Sequence, residues 1–303
     1  MVDSAQVTVE VEGRRLTLTN LDKVLYPSTE TTKGEVLNYY ARVSPMFLAV
    51  LQGRPVTRVR WPHGVGGASF FEKNVPPGAP SWIPRFTVAS SGKREGGDSV
   101  TYPLVPDVAT LTYLANLAAL ELHVPQWRGP TQIDGAGARQ NPDRVVIDLD
   151  PGSPAGLPEC ARVALKVREK LAEGGVQNTT PVTSGSKGMQ IYGALDGTRG
   201  SDEIRDWVKS IAQSLTGECP DQVVWKMTKS VRNAKVLLDW SQNTAAKTTI
   251  APYSLRGRER PMVAAPRTWE EIEIPEKLAQ LDFEQVLNRL EIFGDLFAAG
   301  LKI

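Results

Sequence analysis

The segment from Arg144 to Gly152 restricts the fold most strongly, because it has the pattern of a buried strand with two acidic residues on one face. Successive side chains of a strand alternate between its faces, so Asp148 and Asp150 project together while Ile147 and Leu149 pack behind them. Two carboxylates on one face repel each other unless a multivalent cation lies between them or water screens them. The segment therefore predicts either a cation site or a solvated acidic edge.

A third aspartate, Asp239, ends a similar apolar run that begins at Lys235. Carboxylates from neighbouring strands can hold two divalent ions about 3.5 to 4 Å apart, which suits phosphoryl transfer. The Asp-x-Asp spacing alone is weak evidence for phosphoryl transfer, since metal-dependent glycosyltransferases use the same spacing. Between Lys226 and Arg260, however, eight Lys or Arg residues accompany only two acids. That excess favours an anionic ligand beside the metal over a merely solvated basic face.

The loop Ser184-Gly185-Ser186-Lys187-Gly188 precedes a predicted strand. Small residues, several backbone N–H groups and a lysine suit the binding of a triphosphate, although a plain glycine turn has the same composition. The loop lacks the Gly-x4-Gly-Lys-Ser/Thr spacing, which disfavours P-loop ATPase chemistry.

Composition excludes several classes of protein. The chain has 303 residues, 41% of them hydrophobic, so it can bury a large core. Two cysteines and two histidines without a Cys-x-x-Cys motif make a structural zinc site or a disulfide framework implausible, so oxygen ligands should hold any metal. The sequence has neither a membrane-spanning apolar stretch nor a signal-peptide pattern, and we expect a cytoplasmic protein.

The pattern of helices and strands predicts an α+β fold. The Gly-rich stretch 129–143 is the expected connection between two halves, and 90–98 is expected to be a mobile surface loop. The remaining expected elements are a strand at 16–19, a helix from Thr32 to Gly53, a buried helix over 107–122, helices over 158–173 and from Ser201, an antiparallel hairpin of 223–228 with 235–240, and closing helices capped by Thr268 and Asp282.

Several long motifs give the chain a specific resemblance. They are Thr19-Asn20-Leu21-Asp22-Lys23-Val24-Leu25-Tyr26-Pro27, Phe70-Phe71-Glu72-Lys73, His123-Val124-Pro125-Gln126-Trp127, Asp148-Leu149-Asp150-Pro151-Gly152, the Ser184 loop, and the segments 239–243 and 252–258. In this order they resemble the polymerase domain of bacterial ligase D, of the archaeo-eukaryotic primase superfamily. The resemblance implies a single primase-like domain over 1–303, with antiparallel and mixed sheets flanked by helices. It further implies a DNA-end-binding half over about 1–140 and an RRM-like metal- and nucleotide-binding half over 141–303.

The resemblance also assigns roles to individual residues. Asp148, Asp150 and Asp239 would hold two Mn²⁺ or Mg²⁺ ions, and these three with Arg232 would be catalytic. The expected nucleotide contacts are Ser184, Lys187, Gln190, Arg232, Gln242, Thr248, Arg256 and Arg258. Asn20, Lys23 and Lys33 would bind a 5′-phosphate on DNA.

Three further sites follow from the same comparison. One of Phe70 and Phe71 should face the core and the other solvent, where at least one would stack on a template base. His123 and Trp127 are interpreted as structural. Gln190 replaces the histidine usual in the family, and glutamine donates a hydrogen bond but carries no charge. We predict that Gln190→His preserves or raises nucleotide incorporation.

The resemblance implies a template-dependent nucleotidyltransferase that fills short gaps and extends 3′ ends at DNA breaks, and that accepts ribonucleotides. Its expected partners are gapped or broken DNA with a 5′-phosphate, NTP or dNTP, and a Ku protein and a DNA ligase in trans. We expect a monomer associated with the nucleoid. The alternatives are a DNA-end-binding paralogue with little or no catalysis and, more remotely, a metal-dependent glycosyltransferase.

Overall fold

The computed structural model describes residues 6–89, 99–129 and 138–302. The chain forms two compact units. The amino-terminal unit comprises Met1–Val124, Arg128–Arg139 and Tyr253–Pro261; the carboxy-terminal unit comprises Pro125–Trp127, Gln140–Pro252 and Met262–Ile303. This grouping differs from a simple division near residue 140, because segments 125–127 and 253–261 each belong to the unit on the other side of that boundary. The expected loop at 90–98 and most of the expected connection at 129–143 lie outside the described residues.

The amino-terminal unit is organised around a long helix, α1. Its elements are β1 (Gln6–Val11), β2 (Arg14–Thr19), β3 (Val24–Tyr26), β4 (Thr31–Thr32), α1 (Lys33–Leu51), β5 (Thr57–Arg60), β6 (Phe70–Glu72), β7 (Arg85–Ala89), β8 (Ser99–Pro103), α2 (Val108–Asn116) and β9 (Ala119–Val124). Strand β5 pairs antiparallel with both β6 and β9. Helix α1 buries Tyr39, Tyr40 and Phe47, and the Tyr40 hydroxyl donates a 2.6 Å hydrogen bond to the Leu120 carbonyl of β9.

The carboxy-terminal unit is built on one mixed sheet. Its elements are β10 (Arg144–Pro151), α3 (Leu157–Glu173), β11 (Thr179–Thr183), β12 (Met189–Ala194), α4 (Ser201–Glu218), β13 (Val223–Val224), β14 (Val236–Asp239), β15 (Thr249–Ile250), β16 (Met262–Val263), β17 (Ala265–Pro266), α5 (Trp269–Ile272), β18 (Leu281–Asp282), α6 (Phe283–Phe293) and α7 (Leu296–Leu301). The sheet runs in the order β13-β14-β10-β12-β11-β17, with β10 at its centre.

The two faces of this sheet have different chemistry. On one face, Val145, Ile147 and Leu149 of β10 join the apolar faces of α3 and α4 in a fully buried cluster. Because side chains alternate along a strand, the other face of β10 carries Asp148 and Asp150. The core thus fixes the direction in which the two aspartates point.

Most of the expected helices are confirmed, together with the α+β class. Thr32 caps α1 in a capping box with Glu35, as the Thr-x-x-Glu pattern predicts. Helix α3 ends before Gly174, α4 begins at Ser201, and Thr268 and Asp282 cap the closing helices α5 and α6.

The helix predicted over 107–122 is wrong in its second half. Helix α2 ends at Asn116, and Leu120 and Leu122 lie in the buried strand β9. The chain turns at Ala118, whose φ of 58° is incompatible with a right-handed helix. An apolar run that is buried on all sides has no periodicity that distinguishes a helix from a central strand.

The predicted antiparallel hairpin is also wrong. Strand β13 pairs parallel with β14, through Val223 with Val236 and Val224 with Leu237. The chain leaves the sheet after Val224 and forms a 3₁₀ turn at Lys229–Val231 before it returns. Arg232 therefore follows a short helical turn rather than lying at a hairpin tip.

In the described part of the chain, no helix is long and apolar enough to cross a membrane.

Candidate active site

The three predicted metal-binding aspartates lie on one face of the central sheet. Strand β10 pairs antiparallel with β14, and Asp148 lies directly opposite Asp239. Asp150 lies two residues further along β10, on the same face. Directly opposed side chains of an antiparallel pair have Cβ atoms about 5 Å apart, so three carboxyl groups meet on a short patch. On the other edge of β10, Asp148 is opposite Gln190 of β12.

Two of these carboxylates accept hydrogen bonds from neighbouring side chains. Gln190 Nε2 donates to Asp148 Oδ1 at 3.0 Å. Asp239 is buried; its Oδ1 accepts from the Ser241 backbone N–H and hydroxyl, and its Oδ2 accepts from Gln242 Nε2 at 2.8 Å. Hydrogen bonds to the charged form stabilise a carboxylate that is withdrawn from water.

The donor set fits a hard divalent cation in chemistry and in backbone register. Carboxylate oxygens are the ligands that Mg²⁺ and Mn²⁺ prefer. Within residues 6–89, 99–129 and 138–302, however, no three Asp, Glu, His or Cys side chains are grouped as a set of metal ligands. The Asp239 oxygens accept hydrogen bonds from Ser241 and Gln242. An ionised carboxylate has about four lone-pair sites, so these hydrogen bonds leave Asp239 able to ligate an ion as well.

Gly152 brings the turn that carries Arg232 against the end of β10. A Cβ atom on Gly152 would lie 1.9 Å from the Arg232 carbonyl oxygen, and the Gly152 N–H donates to the Lys235 carbonyl at 2.8 Å. Only glycine allows this approach. Arg232 is half-buried, and its guanidinium donates to the Met227 carbonyl. The predicted catalytic arginine is thus held beside the strand of Asp148 and Asp150.

The Ser184–Gly188 loop lies at the other side of β10 and is closed on itself. The Ser184 N–H donates to the Gly188 carbonyl at 3.1 Å, and a Cβ atom on Gly188 would lie 2.0 Å from the Leu149 carbonyl oxygen. Lys187 is exposed at the tip of the loop. The loop that was predicted to bind a triphosphate therefore packs directly against the acidic strand.

Gln280 holds this loop at two points. Its Oε1 accepts a 2.7 Å hydrogen bond from the Gly185 N–H, and its Nε2 donates to the Gly188 carbonyl at 2.9 Å. One amide side chain therefore fixes both ends of the glycine turn. Sequence reasoning missed Gln280, because it lies about ninety residues from the loop and no local pattern marks it.

Asn243 fixes the segment that follows Asp239. Its side-chain amide donates to the Val146 carbonyl at 2.7 Å and accepts from the Val146 N–H at 3.0 Å. The side chain thus takes the place of a strand partner for β10 beyond the last residue of β14. The predicted nucleotide contacts of this segment behave differently: Gln242 binds Asp239, while Thr248 is half-buried a few residues further on.

The remaining predicted nucleotide contacts, Arg256 and Arg258, belong to the amino-terminal unit. Arg258 is exposed, whereas Arg256 forms an ion pair with the buried Glu121 at 3.3 Å. Glu121 also accepts from the Gly257 N–H at 3.0 Å, and its Oε2 lies 2.8 Å from His123 Nε2. Burial alone would raise the pKa of Glu121, but the His123 hydrogen bond and the Arg256 charge outweigh it and lower the pKa below its usual value.

The three residues that were predicted to bind a 5′-phosphate lie close together. The Lys23 N–H donates to the Asn20 carbonyl, and the Lys33 N–H donates to the Lys23 carbonyl at 2.8 Å. Lys33 is the first residue of α1 and is buried; its ammonium group donates to the Thr19 carbonyl at 2.5 Å and to the Thr19 hydroxyl at 3.3 Å. Burial, together with the nearby charge of Lys23, lowers the pKa of Lys33 to about 8.

The expectation that one of Phe70 and Phe71 faces the core is wrong. The two side chains are 48% and 61% exposed. Both phenylalanines lie in β6, a strand of three residues that pairs with β5, and no residue of β6 is buried. The Lys73 ammonium lies 6.0 Å from the centre of the Phe71 ring. Both rings are therefore accessible, and stacking of at least one of them on a template base stays a prediction.

Comparison with known proteins adds a family to this geometry. Residues 32–297 match the family described as LigD, primase-polymerase domain. The chain belongs to this family. The match contains all three aspartates, the Ser184 loop, Lys33 and the two exposed phenylalanines.

Individual relatives agree with the LigD assignment. The chain is 48% identical over 284 residues to the multifunctional non-homologous end joining DNA repair protein LigD of Mycobacterium tuberculosis (strain ATCC 25618 / H37Rv), covering 93% of this chain and 36% of the relative. It is 32% identical over 281 residues to the bifunctional non-homologous end joining protein LigD of Bacillus subtilis (strain 168), covering 92% of this chain and 43% of the relative. The chain thus spans well under half the length of these relatives.

A solved structure confirms the fold. The chain resembles the polymerase domain of Mycobacterium tuberculosis ligase D in complex with DNA, with a TM-score of 0.88 and 48% identity. The similarity covers 94% of this chain and 97% of that chain. The LigD primase-polymerase fold that the motifs predicted is therefore correct.

Proposed function

We propose that this chain is a template-directed nucleotidyltransferase that fills short gaps and extends 3′ ends at DNA breaks. One observation carries the proposal: the pairing of β10 with β14 puts Asp239 opposite Asp148, with Asp150 on the same face. Membership of the LigD primase-polymerase family supports the polymerase reaction, and the similarity to a polymerase domain in complex with DNA supports DNA as the substrate. Neither finding favours the glycosyltransferase alternative.

The protein's own residues would bind and orient the reactants. Asp148, Asp150 and Asp239 would hold two Mn²⁺ or Mg²⁺ ions, which supply an activated attacking oxygen and neutralise charge on the leaving phosphate. Lys187 is exposed, and the small loop around it lies against β10, so its ammonium group would bind the triphosphate of the incoming nucleotide.

Arginine would complete the phosphate contacts. Arg232, held by the close approach of Gly152, and Arg256, aligned by Glu121, would bind phosphate oxygens, since a planar guanidinium binds them in pairs. Ser184, Gln190, Gln242, Thr248 and Arg258 stay predicted nucleotide contacts. The proposal includes acceptance of ribonucleotides, and a Ku protein and a ligase that act in trans on the same break.

The DNA end would be recognised by the amino-terminal unit. Lys23 is half-buried near the start of α1, and the ammonium group of the buried Lys33, which donates two hydrogens to Thr19, would turn its third toward the phosphate. The first three N–H groups of α1 already donate to Lys23, Leu21 and Thr32. The charge that attracts a 5′-phosphate must therefore come from the lysine side chains rather than from the helix terminus.

A second function is favoured by one specific observation. Gln190, in place of the histidine usual in the family, donates to Asp148 but carries no charge, and a DNA-end-binding paralogue that has lost turnover is compatible with this replacement. An Asp148→Ala variant separates the two functions. The polymerase proposal predicts extension by the wild type and its loss in the variant, with normal binding of gapped DNA by both. Binding without extension by both proteins would favour the paralogue, and equal extension by both would show that the carboxylate is idle.

The direct test is single-nucleotide extension on a gapped duplex with a downstream 5′-phosphate, in Mn²⁺ or Mg²⁺, with each of the four nucleotides and each of the four template bases. The proposal predicts insertion that follows the template base and is faster with the 5′-phosphate than with a 5′-hydroxyl. No extension with any nucleotide and metal would refute it.

A further inference from the structure

A chain of buried hydrogen bonds reaches Asp148 from the interior of the carboxy-terminal unit. At its inner end, Arg144 Nε donates to Gln126 Oε1 at 2.8 Å, and Gln126 Nε2 donates to Thr249 Oγ1 at 2.8 Å. The Thr249 hydroxyl lies 3.2 Å from the Tyr192 hydroxyl. These four residues are all buried.

At its outer end, the chain passes to the candidate site. The Tyr192 hydroxyl donates to Gln190 Oε1 at 2.8 Å, and Gln190 Nε2 donates to Asp148 Oδ1 at 3.0 Å. Gln190 is only 4% exposed, so water cannot readily replace either partner. The Ile250 carbonyl, 3.1 Å from the Tyr192 hydroxyl, is the competing acceptor, but the contact to Gln190 is shorter.

The direction of every bond follows from the two ends. A guanidinium can only donate, so Gln126 must turn its oxygen to Arg144 and its NH₂ group to Thr249. A hydroxyl donates and accepts independently, so this end alone leaves the direction of the contact between Thr249 and Tyr192 open.

The outer bonds follow in the same way. A carboxylate can only accept, which requires the Gln190 NH₂ group to face Asp148. The Gln190 oxygen then faces Tyr192, which uses its single hydrogen on it, so Thr249 must donate to Tyr192. The aligned bonds polarise one another in a medium of low dielectric constant.

We propose that Tyr192 is a positioning residue of this site, which acts through Gln190 to hold the Asp148 carboxylate in place for a divalent cation, with Thr249, Gln126 and Arg144 as the buried support. The inference rests on the proposed function. Without the Tyr192 hydroxyl, the Gln190 amide loses the partner that fixes its orientation. Asp148 alone would then hold the amide, whose buried oxygen lacks a donor, so both the amide and the carboxylate would be less firmly placed.

Binding of Mn²⁺, measured by electron paramagnetic resonance on the full chain without DNA or nucleotide, tests the inference apart from catalysis. Tyr192→Phe keeps the ring that packs 5.3 Å from Phe297 and removes only the hydroxyl. Loss of a partner behind a metal ligand weakens metal binding about tenfold, and we expect Tyr192→Phe to weaken Mn²⁺ binding by at least about threefold. Thr249→Val, which breaks the chain one bond further away, should act in the same direction and serves if Tyr192→Phe does not fold.

A double-mutant cycle separates positioning from general structural damage. If Tyr192 acts through Gln190, then Tyr192→Phe should have no further effect on Mn²⁺ binding in a Gln190→Leu background. Tyr40→Phe is the matched control, since it removes another buried tyrosine hydroxyl with a 2.6 Å hydrogen bond, in the amino-terminal unit. It should lower the unfolding temperature and leave Mn²⁺ binding unchanged.

Three results would overturn the inference: no Mn²⁺ binding by the wild-type protein, unchanged binding in Tyr192→Phe, or effects of Tyr192→Phe and Gln190→Leu that multiply. Failure of the proposed function is distinguishable. A protein that binds Mn²⁺ and gives the expected cycle, but extends no primer, would retain the positioning role and lose the polymerase proposal.

Discussion

The lowered pKa of Lys33 predicts that recognition of a 5′-phosphate depends on pH. The group has a pKa of about 8 in the folded protein, so about nine in ten molecules carry the charge at pH 7 and about one in ten at pH 9. If the phosphate binds the charged form, its contribution to affinity should fall about tenfold between pH 7 and pH 9, or about 1.4 kcal/mol. The phosphate has its second pKa near 6 and adds little to this change.

The assay is fluorescence anisotropy with two gapped duplexes that differ only in a 5′-phosphate or 5′-hydroxyl, at one fixed salt concentration. The ratio of the two dissociation constants isolates the phosphate contact from general attraction to DNA. We expect the preference for phosphate to decline as pH rises through 8 in the wild-type protein and to be small at all pH values in Lys33→Met. Lys23→Met should move the decline to higher pH, because the charge of Lys23 is one cause of the lowered pKa.

The same pKa predicts a change in stability with a definite sign. The folded pKa of Lys33 lies below its usual value, so the unfolded chain binds the proton more tightly between about pH 8 and 10.5. The wild-type protein therefore loses stability as pH falls from 10.5 to 8, whereas Lys33→Met, which lacks the group, does not. The free energy of unfolding of Lys33→Met minus that of the wild type should grow over this range and stay constant below pH 8. A phosphate preference that is equal at pH 7 and pH 9 in the wild type would refute the reasoning.

Three further predictions concern single contacts. In steady-state kinetics, Gln280→Ala should raise the nucleotide KM about tenfold with little change in gapped-DNA affinity, because both ends of the Ser184 loop lose a hydrogen bond. Gln280→Glu keeps only the acceptor, and its KM should lie between those of the wild type and Gln280→Ala. Gly152→Ala should lower the unfolding temperature and abolish extension, since its Cβ would lie 1.9 Å from the Arg232 carbonyl oxygen; normal melting and activity would contradict this. Phe71→Ala should weaken binding of a single-stranded template overhang by about 1 to 3 kcal/mol and leave blunt duplex binding unchanged in anisotropy titrations.

The acidic face of β10 was predictable because its information is local. Alternation along the Arg144 strand separates Asp148 and Asp150 from the apolar residues, and the buried cluster behind the strand agrees with this reading. Asp239 was also predictable as a third carboxylate at the end of a similar apolar run, but the pairing that puts it opposite Asp148 was not. The register joins residues ninety positions apart, and no local rule determines it.

The errors have physical causes of the same kind. The run after Asp107 is apolar on every side, so a buried strand at Leu120 looked like the end of a helix. Strand β13 has two residues and finds its partner through a parallel pairing, which turn chemistry cannot indicate. Glu121 and Gln280 were missed because each acts on a segment that is distant in sequence.

Asp148, Asp150 and Asp239, which share one face of the central sheet, are proposed to support nucleotidyl transfer. This role is tested most directly by the rate of single-nucleotide insertion on a gapped, 5′-phosphorylated duplex in Mn²⁺, with Asp148→Asn and Asp239→Asn beside the wild type and the exposed Asp221→Asn as the matched control. The account predicts insertion by the wild type and the control, and a loss of about 100-fold or more in the other two variants, because a bound metal ion contributes several kcal/mol. Insertion by Asp148→Asn or Asp239→Asn at the wild-type rate would contradict it.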